Sequence, residues 1–262
     1  MKRCGFRRQA EGAVLILLAM IGGASSAFAQ QPVQFVSRFD FYLAAERLGG
    51  DSDNRFAWDA DFGGEIDIID YGAGRATFAA NYEVVMGTQL RRFDPNQGNY
   101  VMAGLLSKRF GGLELAGMFY HQSRHLSDRP KVAAIDWNMF GARIAHDFAR
   151  GRSQWAARAD LRRTIQKSFV DYQWEVDAEG RGRIDLRPHV SVVSTLNARI
   201  VGVDDTRNRN TQTGFLAEGG VRFEGTAGAM EFFVAGERRI DPFPLEFGTA
   251  TWLKAGFRLL SP

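Results

Sequence analysis

Between Tyr120 and Asp128 the chain reads Tyr-His-Gln-Ser-Arg-His-Leu-Ser-Asp, so His121, Ser123 and His125 recur at every second position. On an extended strand alternate side chains share a face and stand about 7 Å apart, which lets an imidazole reach a hydroxyl. Such a pair is the beginning of a nucleophilic site, in which the imidazole takes the serine proton and a third group orients the imidazole. The next apolar stretch opens Ile135-Asp136-Trp137-Asn138. If the two stretches form a symmetric hairpin, Ser123 faces Asp136 and His121 faces Asn138. The pattern therefore predicts His121 as base, Ser123 as nucleophile and Asp136 as orienting carboxylate, with Tyr120, Arg124, His125 and Asn138 as substrate contacts. Two histidines four residues apart on a strand lie about 13 Å from each other, too far to share an ion with Asp128. Neither a metal nor a cofactor is expected at this site.

The elements that would hold these residues are legible in the rest of the chain. Phe35, Phe39, Phe41 and Leu43 alternate with Arg38 and Asp40. Phe78, Ala80, Tyr82, Val84 and Met86 oppose Arg75, Thr77, Asn81 and Glu83, and Val190, Val192, Leu196, Ala198 and Ile200 oppose His189, Ser191, Thr195, Asn197 and Arg199. Leu253, Ala255, Phe257 and Leu259 are set against Lys254 and Arg258. A period of two repeated from end to end, with glycine-rich breaks, is a strand signal, and no segment carries the 3.6-residue period of an amphipathic helix.

The chain begins with Lys2, Arg3, Arg7 and Arg8, continues through the apolar run Ala13 to Ile21, and reaches Ala27-Phe28-Ala29. That order reads as a secretory signal cut after Ala29, too short in its apolar core to span a membrane. Residues 1–29 hold four of the 33 Lys and Arg and one of the 30 Asp and Glu, so residues 30–262 carry 29 of each. The positive charge belongs mostly to the leader, and no nucleic-acid partner is expected. Cys4, the single cysteine, lies in the leader, which excludes a disulfide framework and a thiolate metal site from the remainder.

Alternating strands also build soluble sandwiches, and loop lengths separate the two cases. Strands fall at roughly 33–47, 56–70, 74–87, 98–110, 112–124, 135–149, 153–165, 168–177, 184–202, 212–224, 229–240 and 249–260, with a polar, ambiguous hairpin around Gln166 to Ser168. Gly49 to Asn54 is long, Tyr71 to Gly74 short, Thr88 to Gln97 long, Gly111-Gly112 short, His125 to Ala134 long and Arg150-Gly151 short. Short inner turns alternating with longer outer loops on an even number of strands predict an all-β, closed antiparallel transmembrane β-barrel of about twelve strands, with ten as the alternative. The expected location is the bacterial outer membrane, reached through the outer-membrane assembly machinery. His121, Ser123 and Asp136 would then lie on the lipid-facing wall near the outer rim, where esters of lipid A acyl chains or phospholipids are the substrates at hand.

The run His121-Gln122-Ser123-Arg124-His125-Leu126-Ser127-Asp128 resembles the His-Gln-Ser-x-His-Leu-Gly-Asp-Glu signature of an uncharacterised family of bacterial outer-membrane barrels, departing at Ser127 and Arg129. It also resembles, more distantly, the His-x-Ser core of the outer-membrane lipid A deacylases. There the resemblance implies an acid from the neighbouring strand, which would be Asp136, while Arg124 replaces the usual asparagine. Besides a lipid-ester hydrolase, two readings stay open. A narrow pore would owe its selectivity to Arg38, Asp40, Glu83 and Arg199, whereas a structural or adhesive barrel would act through its outer loops. Among other clusters, Asp51-Ser52-Asp53-Asn54 suits a solvated loop better than a calcium site. Phe93 to Tyr100 suits a loop meeting the membrane interface, and Glu237 to Asp241 suits charge pairing inside the barrel.

Overall fold

In the computed structural model, residues 32–262 are described apart from 51–52, 128–129, 131–132 and 244–247. Residues 1–29, expected to form a signal segment, and with them Cys4, lie outside the described residues, as do Asp51, Ser52 and Asp128. Twelve strands run in chain order: β1 (Gln34–Gly49), β2 (Trp58–Asp70), β3 (Arg75–Gly87), β4 (Asp94–Phe110), β5 (Leu113–His125), β6 (Ile135–Arg150), β7 (Ser153–Ser168), β8 (Tyr172–Arg187), β9 (Val190–Val203), β10 (Gln212–Gly225), β11 (Gly228–Ile240) and β12 (Thr249–Leu260). Each pairs antiparallel with its neighbours in sequence, and β1 pairs with β12, so the sheet closes into a barrel with no free edge. Among the described residues the only helical piece is one 3-10 turn, Asp205–Arg207.

The alternation sorts side chains to two environments. Phe39, Phe41, Phe78, Leu196, Phe232 and Leu253 are exposed on the outside, a band of apolar surface that only hydrocarbon can cover at this size. Inside, charges neutralise one another: Arg38 pairs with Asp40, Glu65 and Asp67, Arg143 with Asp160, and Arg199 with Glu175. At the end of the longer loops, Trp137, Met139, Tyr172, Val201 and Ile240 pack into one apolar cluster within the barrel, and Leu48, Phe56, Val85 and Trp252 into another. Beneath them lies a cavity of about 880 Å³ whose lining includes Tyr42, Arg181, Glu218, Arg239 and Arg258.

The sequence pattern breaks after residue 177 and resumes at 184, but β8 runs unbroken through this stretch to Arg187, and the turn follows it. Gly182 explains the discrepancy. A Cβ there would stand 2.7 Å from the Trp155 ring, so the glycine seats an aromatic ring from the adjacent strand rather than ending its own. The hairpin expected at Gln166 to Ser168 likewise moves outward, because β7 continues to Ser168 and the chain reverses over residues 169–171.

Candidate active site

Strands β5 and β6 pair with Ser123 opposite Asp136 and His121 opposite Asn138. Their outward positions carry His121, Ser123 and His125 on one strand and Asp136 and Asn138 on the other. One step toward the membrane interior, Phe119 and Phe140 meet edge to face at 5.4 Å between ring centres, both exposed on the wall. The polar group therefore begins where the apolar band ends.

His121 Nδ1 lies 2.7 Å from Asn138 Oδ1. Asn138 Nδ2 in turn donates to Gln166 Oε1 at 3.1 Å, on β7. With the Asn138 nitrogen turned to Gln166, its oxygen faces the imidazole. In this arrangement Asn138 accepts from His121 Nδ1–H, and Nε2 is left with a lone pair, the tautomer a base requires. Gln166 reaches the outer wall through a bulge. Asn138 pairs with Gln166 but Met139 pairs with Thr164, leaving Ile165 as the extra residue. A bulge of this kind re-aims a side chain that strict alternation would have turned inward.

The Ser123 hydroxyl is turned toward the rim, 3.3 Å from His125 Nε2. His125 also ends a row of rings crossing the outer wall: Phe62 to Tyr82 at 5.3 Å, Tyr82 to Tyr100 at 4.5 Å, and Tyr100 to His125 at 5.3 Å. Gly98, which pairs with His125, leaves room for this row, since a Cβ there would stand 2.7 Å from the Tyr82 hydroxyl.

Two expectations change. The group that meets His121 is the Asn138 amide, whereas Asp136 stands one outward position further along the strand, opposite Ser123. Tyr120 and Arg124, expected as substrate contacts, face the barrel interior. The Tyr120 hydroxyl bonds Gln122 at 2.8 Å beneath the Arg162 guanidinium, and Arg124 is buried over the Trp137 ring. Alternation turns them from the wall that carries His121, so contact with a ligand there is not available to their side chains. Gln166 was missed, because its polar surroundings read as a hairpin and a bulge leaves no mark in composition.

At the outer end of β7, Lys167 bonds Asp204 in the outer loop between β9 and β10. That bond, helped by Thr206, holds the Asp204 carboxyl down to about 2. Asp53 in the first outer loop is engaged by Arg55, which also holds its carboxyl below the usual range. Among the described residues, three acids inside the barrel, Glu46, Asp59 and Asp61, bring carboxylate oxygens within 4.8 Å of one another. Arg239 and Lys254 reach into this group, Arg239 to Asp59 and Lys254 to Glu46.

No family model matches the chain, and no curated protein matches it in sequence. Solved structures do. Outer membrane phospholipase A from Escherichia coli superposes with a TM-score of 0.54 at 11% identity, over 85% of this chain and 92% of that one. A variant of that enzyme with an active-site asparagine changed to alanine, solved at pH 6.1, gives 0.53 at 11% identity, over 94% and 97%. An outer membrane channel from Pseudomonas putida F1 gives 0.53 at 10% identity, over 91% and 99%. At these identities the likeness is one of fold, and it places this chain among the outer-membrane β-barrels, in the outer membrane.

Proposed function

We propose that this barrel is a lipid-ester hydrolase acting on acyl esters of the outer leaflet, with Ser123 as nucleophile, His121 as base and Asn138 as the group that orients His121. The observation that carries the reading is the chain Gln166 to Asn138 to His121, which sets a side-chain amide against the imidazole two residues from a serine at the upper edge of the apolar band. An orienting residue need not be charged to set a tautomer, so the amide serves where a carboxylate was expected. The phospholipase with a similar barrel also has an active-site asparagine, which favours a phospholipid over lipid A as substrate. Against a pore stand the buried Trp137, Tyr172 and Trp252 inside the outer end of the barrel.

In the proposed reaction Ser123 turns about its Cα–Cβ bond from His125 to His121, a change between staggered wells. Oγ bonds to the ester carbonyl carbon as its proton passes to His121 Nε2, and the carbonyl electrons move to oxygen. Collapse breaks the bond to the alcohol oxygen, which takes the proton from His121. Water then attacks the acyl serine by the same route and releases the fatty acid.

A fluorophosphonate tests the nucleophile directly, since an activated serine oxygen displaces fluoride and keeps the phosphonyl group. Labelling of the purified barrel in detergent, traced by mass spectrometry to the peptide that holds Ser123, is the expected result; an unlabelled wild type sinks the proposal. The two β6 side chains are separated by substitution. Asn138→Ala is expected to slow phospholipid hydrolysis by on the order of 10²-fold, the lower range for losing an aligned base, whereas Asp136→Asn leaves the rate within about threefold, since a group outside the His121 contact changes little. The reverse order, measured as fatty-acid release, returns the orienting role to Asp136.

A further inference from the structure

We infer that His125 is a second catalytic imidazole, whose Nε2–H donates to the oxyanion formed when Ser123 attacks an ester. This inference rests on the hydrolase reading and names a role that reading leaves unfilled.

A serine esterase needs hydrogen-bond donors where negative charge develops on the carbonyl oxygen. In many hydrolases main-chain amides at a sharp turn supply them. Here the nucleophile lies within a strand, with Ser123 paired to Tyr100 of β4 on one side and Asp136 of β6 on the other. His121, Gln122 and Arg124 are laddered on both sides as well. Main-chain amides around the nucleophile are committed to the sheet, so a donor must come from a side chain on the outer wall.

His125 meets that need by position. Its Nε2 is 3.3 Å from Ser123 Oγ. His121 is engaged at Nδ1 and takes the serine proton at Nε2 once Oγ has turned to it, while His125, in its Nε2–H tautomer, keeps a donor on the side that Oγ leaves. When Oγ swings to His121 for attack, it vacates the place beside His125 Nε2. The carbonyl oxygen of the ester under attack, carried on the carbon that Oγ bonds, then lies beside Oγ on the side left open toward His125, within reach of the same N–H. The Tyr100 ring, edge-on to His125 at 5.3 Å between centres, backs the imidazole and limits its rotation.

The test compares His125→Ala, His125→Gln and Ser123→Ala in the full-length barrel, assayed with a short-chain ester and a phospholipid in mixed micelles, in buffer containing calcium and magnesium. A donor role predicts that His125→Ala lowers kcat by on the order of 10²-fold, the loss typical of one oxyanion donor, with KM nearly unchanged. His125→Gln, which keeps an N–H donor but no base, is expected to recover at least about tenfold of that loss. The dependence of kcat/KM on pH keeps its shape in both variants. His125→Ala at the wild-type rate overturns the inference. So does a glutamine variant as slow as the alanine one, which makes His125 the base. Failure of the hydrolase reading looks different: the wild type and Ser123→Ala then hydrolyse the esters equally slowly. Gel mobility before and after heating checks that each variant is folded.

Discussion

Ser123→Ala is expected to lower fatty-acid release from phospholipid by on the order of 10⁶-fold, the scale reached when the nucleophile of a serine hydrolase is removed. The loss falls on kcat, because Ser123 Oγ forms a bond only along the reaction path, and lipid binding to the apolar wall around Phe119 and Phe140 stays as it was. The barrel itself is expected to be unaffected. Ser123 points away from the interior, and removing an outward hydroxyl breaks one side-chain bond, to His125, at a cost of about 1 kcal/mol or less. The measurement is a titrimetric assay on purified wild type and variant, paired with the heat-induced mobility shift. His121→Phe should match Ser123→Ala, and the double variant should be no slower than either, since residues acting as one unit are not additive. A Ser123→Ala barrel that releases fatty acid at the wild-type rate removes the hydrolase from consideration and leaves the structural or pore readings.

The largest effect on stability is expected inside the barrel, at Arg239. Its guanidinium bonds Asp59 at 2.7 Å, Glu83 at 2.7 Å and Glu237 at 2.8 Å, and it lies over the Trp252 ring. Asp59 is fully buried, so nothing but Arg239 and its close neighbours balances its charge. Arg239→Met keeps much of the side-chain volume and removes the charge, leaving acids from β2, β3 and β11 facing one another. Breaking a buried pair from one side costs about 3–5 kcal/mol, and Lys254, which remains on Glu237 and Glu46, offsets only part of this. Equilibrium unfolding in urea from lipid vesicles reads the change directly. Adding Glu83→Gln to Arg239→Met should restore part of the loss by removing one of the stranded charges. A change below about 1 kcal/mol, the range of exposed pairs, shows that water in the cavity below screens the cluster.

The architecture was legible because a barrel wall imposes period two on every strand, and hydrocarbon outside against charge inside makes the two faces chemically distinct. The same contrast settled which face His121 and Ser123 occupy, since Leu115 and Phe119 precede them on the same side. The pairing of β5 with β6 rested on assuming a symmetric hairpin: alternation excludes a slip by one residue, which would turn Phe140 inward and Trp137 into lipid, but not a slip by two, and the barrel supplied the register. Composition failed where a residue served a neighbour rather than its own strand. Gly182 looked like a break and is a seat for Trp155. Gln166 looked like a turn and is carried onto the wall by the extra residue Ile165.

What the sequence by itself determined, then, is the class of wall and the rim on which the histidines and the serine sit, because both follow from alternation along single strands. Only the closed barrel decided which partner each imidazole takes. Asp136 and Asn138 share a face and a strand, and nothing in their order along the chain ranks them. The choice came from distances across three strands, which placed the Asn138 amide against His121 and Gln166, and left the Ser123 hydroxyl with His125.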